Sequence, residues 1–121
     1  MEMTPTTITY IKQTLKKTHK DEYSLAEMYY NVLSIVNNLK LTQREIQLMA
    51  FTAIKGNISY ANIREEFCKK HDTSSPTINN IISKLKRIGV LVKDNGKIKV
   101  HPAISLQFQK DVVLEIKLLH G

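Results

Sequence analysis

The sequence predicts a mainly α-helical fold closed by a small β-hairpin, and three observations carry this. Four segments between residues 24 and 88 place apolar side chains at three- and four-residue spacing, the period of a helix with one buried stripe. Two of them run into a glycine, Gly56 and Gly89, where a left-handed residue stops a helix. After Gly89 the chain changes character, to a β-branched run over 90–100 broken by Asp94-Asn95-Gly96. A chain of 121 residues with 42% hydrophobic content has room for one core and not two.

The elements follow in order. Thr4-Pro5 can open a helix that uses Ile8, Ile11 and Leu15, but Thr6–Tyr10 is β-branched enough for a strand, and both readings stay open. Lys16–Glu22 is linker-like. The first clear helix is expected over about 24–38, with Ser24 as cap and Glu27 as reciprocal acceptor. Its stripe is Leu25, Met28, Tyr29, Val32, Ile35, Val36 and Leu39. The second, about 42–55, opens with Thr42 and Glu45 in the same arrangement. It is apolar on more than one side, so it is either central or shared with a partner. The third, about 59–71, is expected to be capped by Ser59 and to bury Tyr60, Ile63 and Phe67. The fourth, about 76–88, has Ser75 as its cap, Pro76 in its first position and Ile78, Ile81, Ile82, Leu85 and Ile88 inward.

For the hairpin, a three-residue loop Asp94-Asn95-Gly96 is favoured over a two-residue Asn95-Gly96 loop. It gathers Val90, Val92, Ile98 and Val100 inward and turns Lys93, Lys97 and Lys99 outward. Beyond it, Ile104, Leu106 and Phe108, then Val112, Leu114, Ile116 and Leu118, alternate with a period of two, which favours a C-terminal strand pair over a helix. The resulting organisation is a helical extension over 1–40, a core domain over 41–102, and a β extension over 103–121 that makes an oligomer contact.

The charge is unevenly placed. Between Lys69 and Lys99 there are eight Lys/Arg against two acids, a net of +6 in a chain whose total is +7. A basic helix beside a basic hairpin is suited to gripping a polyanion, and double-stranded nucleic acid is the one expected. On a helical wheel, Asn79, Asn80, Ser83 and Arg87 stand opposite the isoleucines of the fourth helix, flanked by Lys84 and Lys86. Asn can bond adenine at two atoms, Arg can do so to guanine, and Ser serves bases or phosphates. Ser74, Ser75 and Thr77 lie at the positive end of the same helix, where amides and hydroxyls hold phosphate. Lys93, Lys97 and Lys99 complete the expected DNA-binding set. Residue by residue, a solvated polar face and a lysine-guarded sheet edge have the same composition. The set as a whole favours recognition, and Asn79-Asn80 is its sharpest part because helix propensity disfavours consecutive Asn.

The run from Ser74 to Leu91, SSPTINNIISKLKRIGVL, resembles the recognition-helix-to-wing passage of winged helix-turn-helix proteins, MarR-like regulators among them. The following GKIKVHP is similar to the wing of small plasmid and phage replication initiators. The resemblance covers about residues 41–102 and implies a winged helix-turn-helix core, with the fourth helix in the major groove and the hairpin against an adjacent groove or the backbone. A small transcriptional regulator that pairs with itself is the first expectation. The alternatives are a bacteriophage structural subunit, using the fold to assemble as a larger ring with other phage proteins, and a plasmid or phage replication or packaging factor.

Catalysis is not expected. His19, His71, His101 and His120 are scattered, the acidic pairs Asp21-Glu22 and Glu65-Glu66 are sequence neighbours that point apart, and no Gly-rich phosphate loop or nucleophile motif occurs. No cofactor is implied. Cys68 and His71 sit one helical turn apart with only Asp72 beside them, short of the roughly four ligands a zinc ion wants, so no metal is expected and Cys68 reads as an inert, partly buried side chain. The five tyrosines read as core or interface and not as stacking platforms. No apolar run nears the ~18–20 residues needed to span a bilayer, and Met1–Pro5 lacks a secretion signal's layout. One cysteine fits a reducing compartment. The bacterial or virus-infected cytoplasm is therefore the expected location, or the virion on the structural alternative.

Overall fold

The computed structural model describes residues 21–120. The readings made for residues 1–20 lie outside the described residues. Four helices precede one antiparallel hairpin: α1 (Glu22–Val36), α2 (Gln43–Lys55), α3 (Ala61–His71), α4 (Ser75–Arg87), β1 (Leu91–Asp94) and β2 (Lys97–Val100). A single turn of 3-10 helix, Pro102–Ile104, follows. The chain is thus mainly α with a small hairpin. Among the described residues no helix is long and apolar enough to cross a membrane.

Helix starts were partly misread from the sequence. Thr42 and Glu45 do form the expected reciprocal capping box on α2, and Gly56 closes that helix at φ 93°. At α1 the cap is Asp21, whose carboxylate accepts from the Ser24 amide at 2.9 Å. An acid at the positive end of a helix makes this earlier start favourable and takes the end of the expected linker into α1. At α4 the cap is Ser74 and not Ser75, so Pro76 occupies the second helical position. At α3 the N-cap is Tyr60, with no side-chain cap at all. Ser59 is engaged elsewhere: its hydroxyl accepts from the Ile98 amide at 2.6 Å, while Ile58 N–H donates to Ile98 C=O at 2.9 Å. The edge of β2 is satisfied by this segment at the expense of the α3 cap.

One apolar cluster unites all the elements. α2 is its centre, with Leu48, Met49, Ala50 and Phe51 all buried, so its several apolar sides are explained within the monomer. Phe51 meets Phe67 of α3 edge to face at 5.2 Å. Tyr60, expected inside, is instead 49% exposed. α1 buries Ala26, Tyr29, Tyr30 and Ser34 and leaves Ile35 and Val36 at 71% and 55% exposure. Its buried face is therefore rotated from the expected stripe by roughly one residue step, about 100°. Aromatic packing decides this. Tyr29 and Tyr30 close on Phe108, each at 5.7 Å, and the Tyr30 hydroxyl donates to the Ile104 carbonyl at 2.8 Å. Burial pushes the Tyr30 phenol well above its usual pKa, so it stays a donor.

The hairpin corrects the sequence reading of register. Leu91 pairs with Val100, Val92 with Lys99, Lys93 with Ile98 and Asp94 with Lys97, leaving a two-residue Asn95-Gly96 loop at φ 52° and 78°. The reason lies at the end of α4. Val90 N–H bonds Leu85 C=O and Gly89 N–H bonds Lys86 C=O, with Gly89 at φ 86°. This six-to-one and five-to-two closure commits Val90 to packing beside Leu85 as part of the helix stop. The strand begins one residue later, Leu91 faces the core with Val100, and every side chain of β1 takes the face opposite to that expected. Lys93 consequently shares a face with Leu91 and Ile98, while Lys97 and Lys99 lie on the other.

The expected C-terminal strand pair is absent from the described residues. After the 3-10 turn only Phe108 is buried, and 111–120 forms no regular element. A turn does form, with Lys110 N–H donating to Gln107 C=O at 3.4 Å, but period-two alternation also needs a pairing edge to become a strand, and 111–120 pairs with none among the described residues.

The register separates two neighbours in strength. Leu91→Ala should cost about 2–4 kcal/mol, and Val92→Ala under about 1 kcal/mol, measured as shifts in urea midpoint at unchanged slope. The reverse order would restore the three-residue loop.

Candidate nucleic-acid interface

α4 is strongly two-sided. Ile78, Ile81, Ile82 and Leu85 are buried, while Ile88, expected with them, is the half-exposed C-cap. Asn79, Asn80, Ser83 and Arg87 are exposed on the other side, as the wheel implies. Three residues, 72–74, join α3 to α4, with Asp72 left-handed at φ 50°. At the other end Ile88–Val90 leads straight into β1, so the polar face of α4 and the hairpin belong to one continuous stretch of chain.

Several of the expected contacts are already engaged within the protein. Lys84 turns inward. Its ammonium lies 3.0 Å from Glu45 Oε1 and 2.9 Å from Oε2, joining α4 to the first turn of α2. The Glu45 side chain is almost fully buried, and it also accepts from the Thr42 amide at 2.8 Å. Burial pushes the Glu45 carboxyl up, but the hydrogen bonds from Lys84 and Thr42 together outweigh it and hold the group below the usual carboxylate range. Lys84 is thus a structural cation and leaves the set of residues available to a polyanion.

Ser74 is spent as the cap of α4: its hydroxyl accepts from the Thr77 amide and lies 3.0 Å from the Thr77 hydroxyl. Ser75 is exposed beside them. Lys99 lies 3.7 Å from Asp94 across the ribbon, a loose exposed pair that leaves its positive charge partly neutralised. Lys97 sits over the Tyr60 ring at 5.8 Å. Lys93 is exposed on the opposite face of the ribbon. The three lysines therefore do not form the common outward row expected of them, because the register that buries Leu91 divides them.

One residue the sequence reading passed over is brought into the site. Arg64 of α3 donates from Nε to the Ile58 carbonyl at 2.8 Å and from a terminal nitrogen to Asn79 Oδ1 at 2.7 Å. It takes one lone pair of the Asn79 oxygen and turns that oxygen toward α3, which leaves the Asn79 NH₂ uncommitted. The exposed Asn80 amide keeps both its donor and its acceptor available. No periodicity or motif marks Arg64. Its role follows from the packing of α3 on α4 alone. The side chains that remain outward on α4 are Asn80, Ser83 and Arg87 in a row, with Ser75 and Thr77 at the helix start and Lys86 on the same helix, while Lys93 and Lys97 stand on opposite faces of the hairpin.

Among the described residues no group of three His, Cys, Asp or Glu side chains converges as metal ligands. Cys68 is partly buried against the core, and the His71 ring packs on Phe67 at 4.6 Å.

No protein-family model, curated protein or solved structure matches this chain.

Lys84→Met should destabilise the fold at neutral pH by about 1–2 kcal/mol, a figure reduced for the partial exposure of the ammonium. The pH dependence has a definite sign. Glu45 has a lowered pKa in the fold, so its contribution is present above its unfolded pKa and is lost as pH falls through the folded one. Denaturation of both proteins across that acidic range should show the gap closing as Glu45 is protonated, and a constant gap would contradict the pairing.

Proposed function

We propose that this protein binds double-stranded DNA without catalysing a reaction, as a winged helix-turn-helix module of a small transcriptional regulator. The observation that carries this reading is the outward row Asn80, Ser83 and Arg87, held on α4 by four buried apolar residues and continuous with a hairpin bearing Lys93 and Lys97. On this reading α4 lies in the major groove. Arg87 bonds a guanine, Asn80 an adenine, and Ser75 and Thr77 approach phosphate at the helix N-terminus. The short α3–α4 turn suits a helix-turn-helix, in which the second helix reads the groove. Arg64 engages the Asn79 oxygen and leaves its NH₂ uncommitted, so on this reading Asn79 donates to a base or phosphate acceptor.

A second reading, an assembly subunit of the kind found in phage particles, is favoured by the exposed apolar residues beyond Val112. It differs in requiring no affinity for duplex.

Binding to a random duplex, measured as salt is raised, decides between them. Of the cations on α4 and the hairpin, Lys84 is committed to Glu45, Lys99 lies beside Asp94 and Arg87 is assigned to a base, so Lys86, Lys93 and Lys97 are left for phosphate. The expected log–log slope is about −2.7, an affinity loss of about fortyfold between 50 and 200 mM salt. A slope near zero, or no binding at low salt, overturns the DNA reading. Lys93→Ala should weaken all sequences alike, whereas Arg87→Ala should relax preference at one position by about 1–3 kcal/mol.

A further inference from the structure

A cleft of about 300 Å³ lies between the end of α2, the hairpin and the 3-10 turn, and it draws no residue from α4. α2 supplies Thr52 and Ala53, the ribbon Asp94 and Lys99, and the 3-10 turn Pro102 with Ser105 just past it. Two features set it apart from an ordinary surface hollow. Thr52 is fully buried, yet its hydroxyl bonds to no group among the described residues. A helical threonine commonly returns its hydroxyl to the carbonyl one turn back, and this one does not. A buried hydroxyl withdrawn from water needs a replacement partner. The protein provides none, which leaves the cleft that Thr52 lines as the place a partner comes from.

The second feature is a loose ion pair. Asp94 and Lys99 stand 3.7 Å apart, beyond hydrogen-bond distance, with side chains 61% and 39% exposed. Each therefore keeps spare capacity, donors on the ammonium and lone pairs on the carboxylate. The cleft thus runs from two charges of opposite sign at its mouth to an unpaired hydroxyl at its floor.

We infer that this cleft binds a small zwitterion, a free α-amino acid with an uncharged polar side chain. Its carboxylate meets Lys99, its ammonium meets Asp94, and its side chain reaches the Thr52 hydroxyl. Charge selects this class. A simple anion would stand against Asp94 and a simple cation against Lys99, whereas a zwitterion answers both. The negative end of α2, which closes at Gly56 on the same cleft, adds to the pull on the ammonium. Size selects it too. At about 30 Å³ per water-sized group, the cleft admits roughly ten of them, which covers free serine through free glutamine. Ala53 and Pro102 supply apolar wall for the short hydrocarbon part.

The test needs no DNA, so its outcome is independent of the function proposed above. The isotope-labelled full chain is titrated with L-serine, L-threonine, L-asparagine and L-glutamine, each to about 10 mM, and its amide spectrum is followed. At least one should give saturable shifts at Ala53, Gly56, Lys99 and Ser105. Thr52→Val should weaken that amino acid about fivefold and leave the thermal midpoint unchanged or raised, since it removes an unpaired hydroxyl and keeps the shape. Lys99→Met, at a partly exposed side chain, should weaken it about tenfold without disturbing the fold. The N-acetyl form of the same amino acid keeps the carboxylate, loses the ammonium and should not bind. Absence of saturable shifts with all four overturns the inference, and so do shifts confined to other regions. Unchanged affinity in either variant, or equal binding of the N-acetyl form, overturns it as well.

Discussion

Burial of Ile78, Ile81, Ile82 and Leu85 is the constraint on which the rest of the molecule depends. These side chains turn one face of α4 into the shared core and thereby decide which of its polar residues meet water. They also fix where α4 stops. Leu85 and Val90 close the helix end around Gly89, and that closure sets the first residue of β1. A single hydrophobic choice thus propagates from a helix face to the register of a hairpin.

Around this ladder the polar groups divide into two kinds. Glu45, Thr42 and Lys84 form a network that ties α4 to the start of α2. A carboxylate this buried is tolerable only because each of its oxygens meets a donor. Arg64 performs a similar tie between α3 and Asn79. The remaining side chains, Asn80, Ser83 and Arg87, extend from a helix held on two sides by these links. A rigidly seated helix presenting unengaged polar groups is what sequence-selective recognition requires, since ordering costs are met in folding and not in binding. The C-terminal arm is the opposite case, apolar surface that folding of one chain leaves uncovered.

Much of this is legible in the amino-acid sequence. The four helices, the glycine stops at Gly56 and Gly89, the capping box at Thr42 and Glu45 and the two-sidedness of α4 each arise from residues within a few positions of one another. Failures fell where two local solutions competed. Asp21 and Ser24 were both fit to cap α1. Val90 could serve either the end of α4 or the face of β1. Ser59 could cap α3 or satisfy the Ile98 amide. In the candidate site, Lys84 and Lys99 were expected to be free and are drawn to Glu45 and Asp94, partners that helical spacing does not reveal.

The sequence by itself determined the order and type of the four helices and the hairpin and the two-sidedness of α4, because periodicity and capping are short-range. Only the tertiary structure decided which face of α1 is buried, how β1 pairs with β2, which cations remain uncommitted, and that the C-terminal alternation forms no strand. Each of those outcomes turns on a partner distant in sequence, Phe108 for α1, Ile58 for β2 and Glu45 for Lys84, and burial selects among such partners only once the whole core has closed.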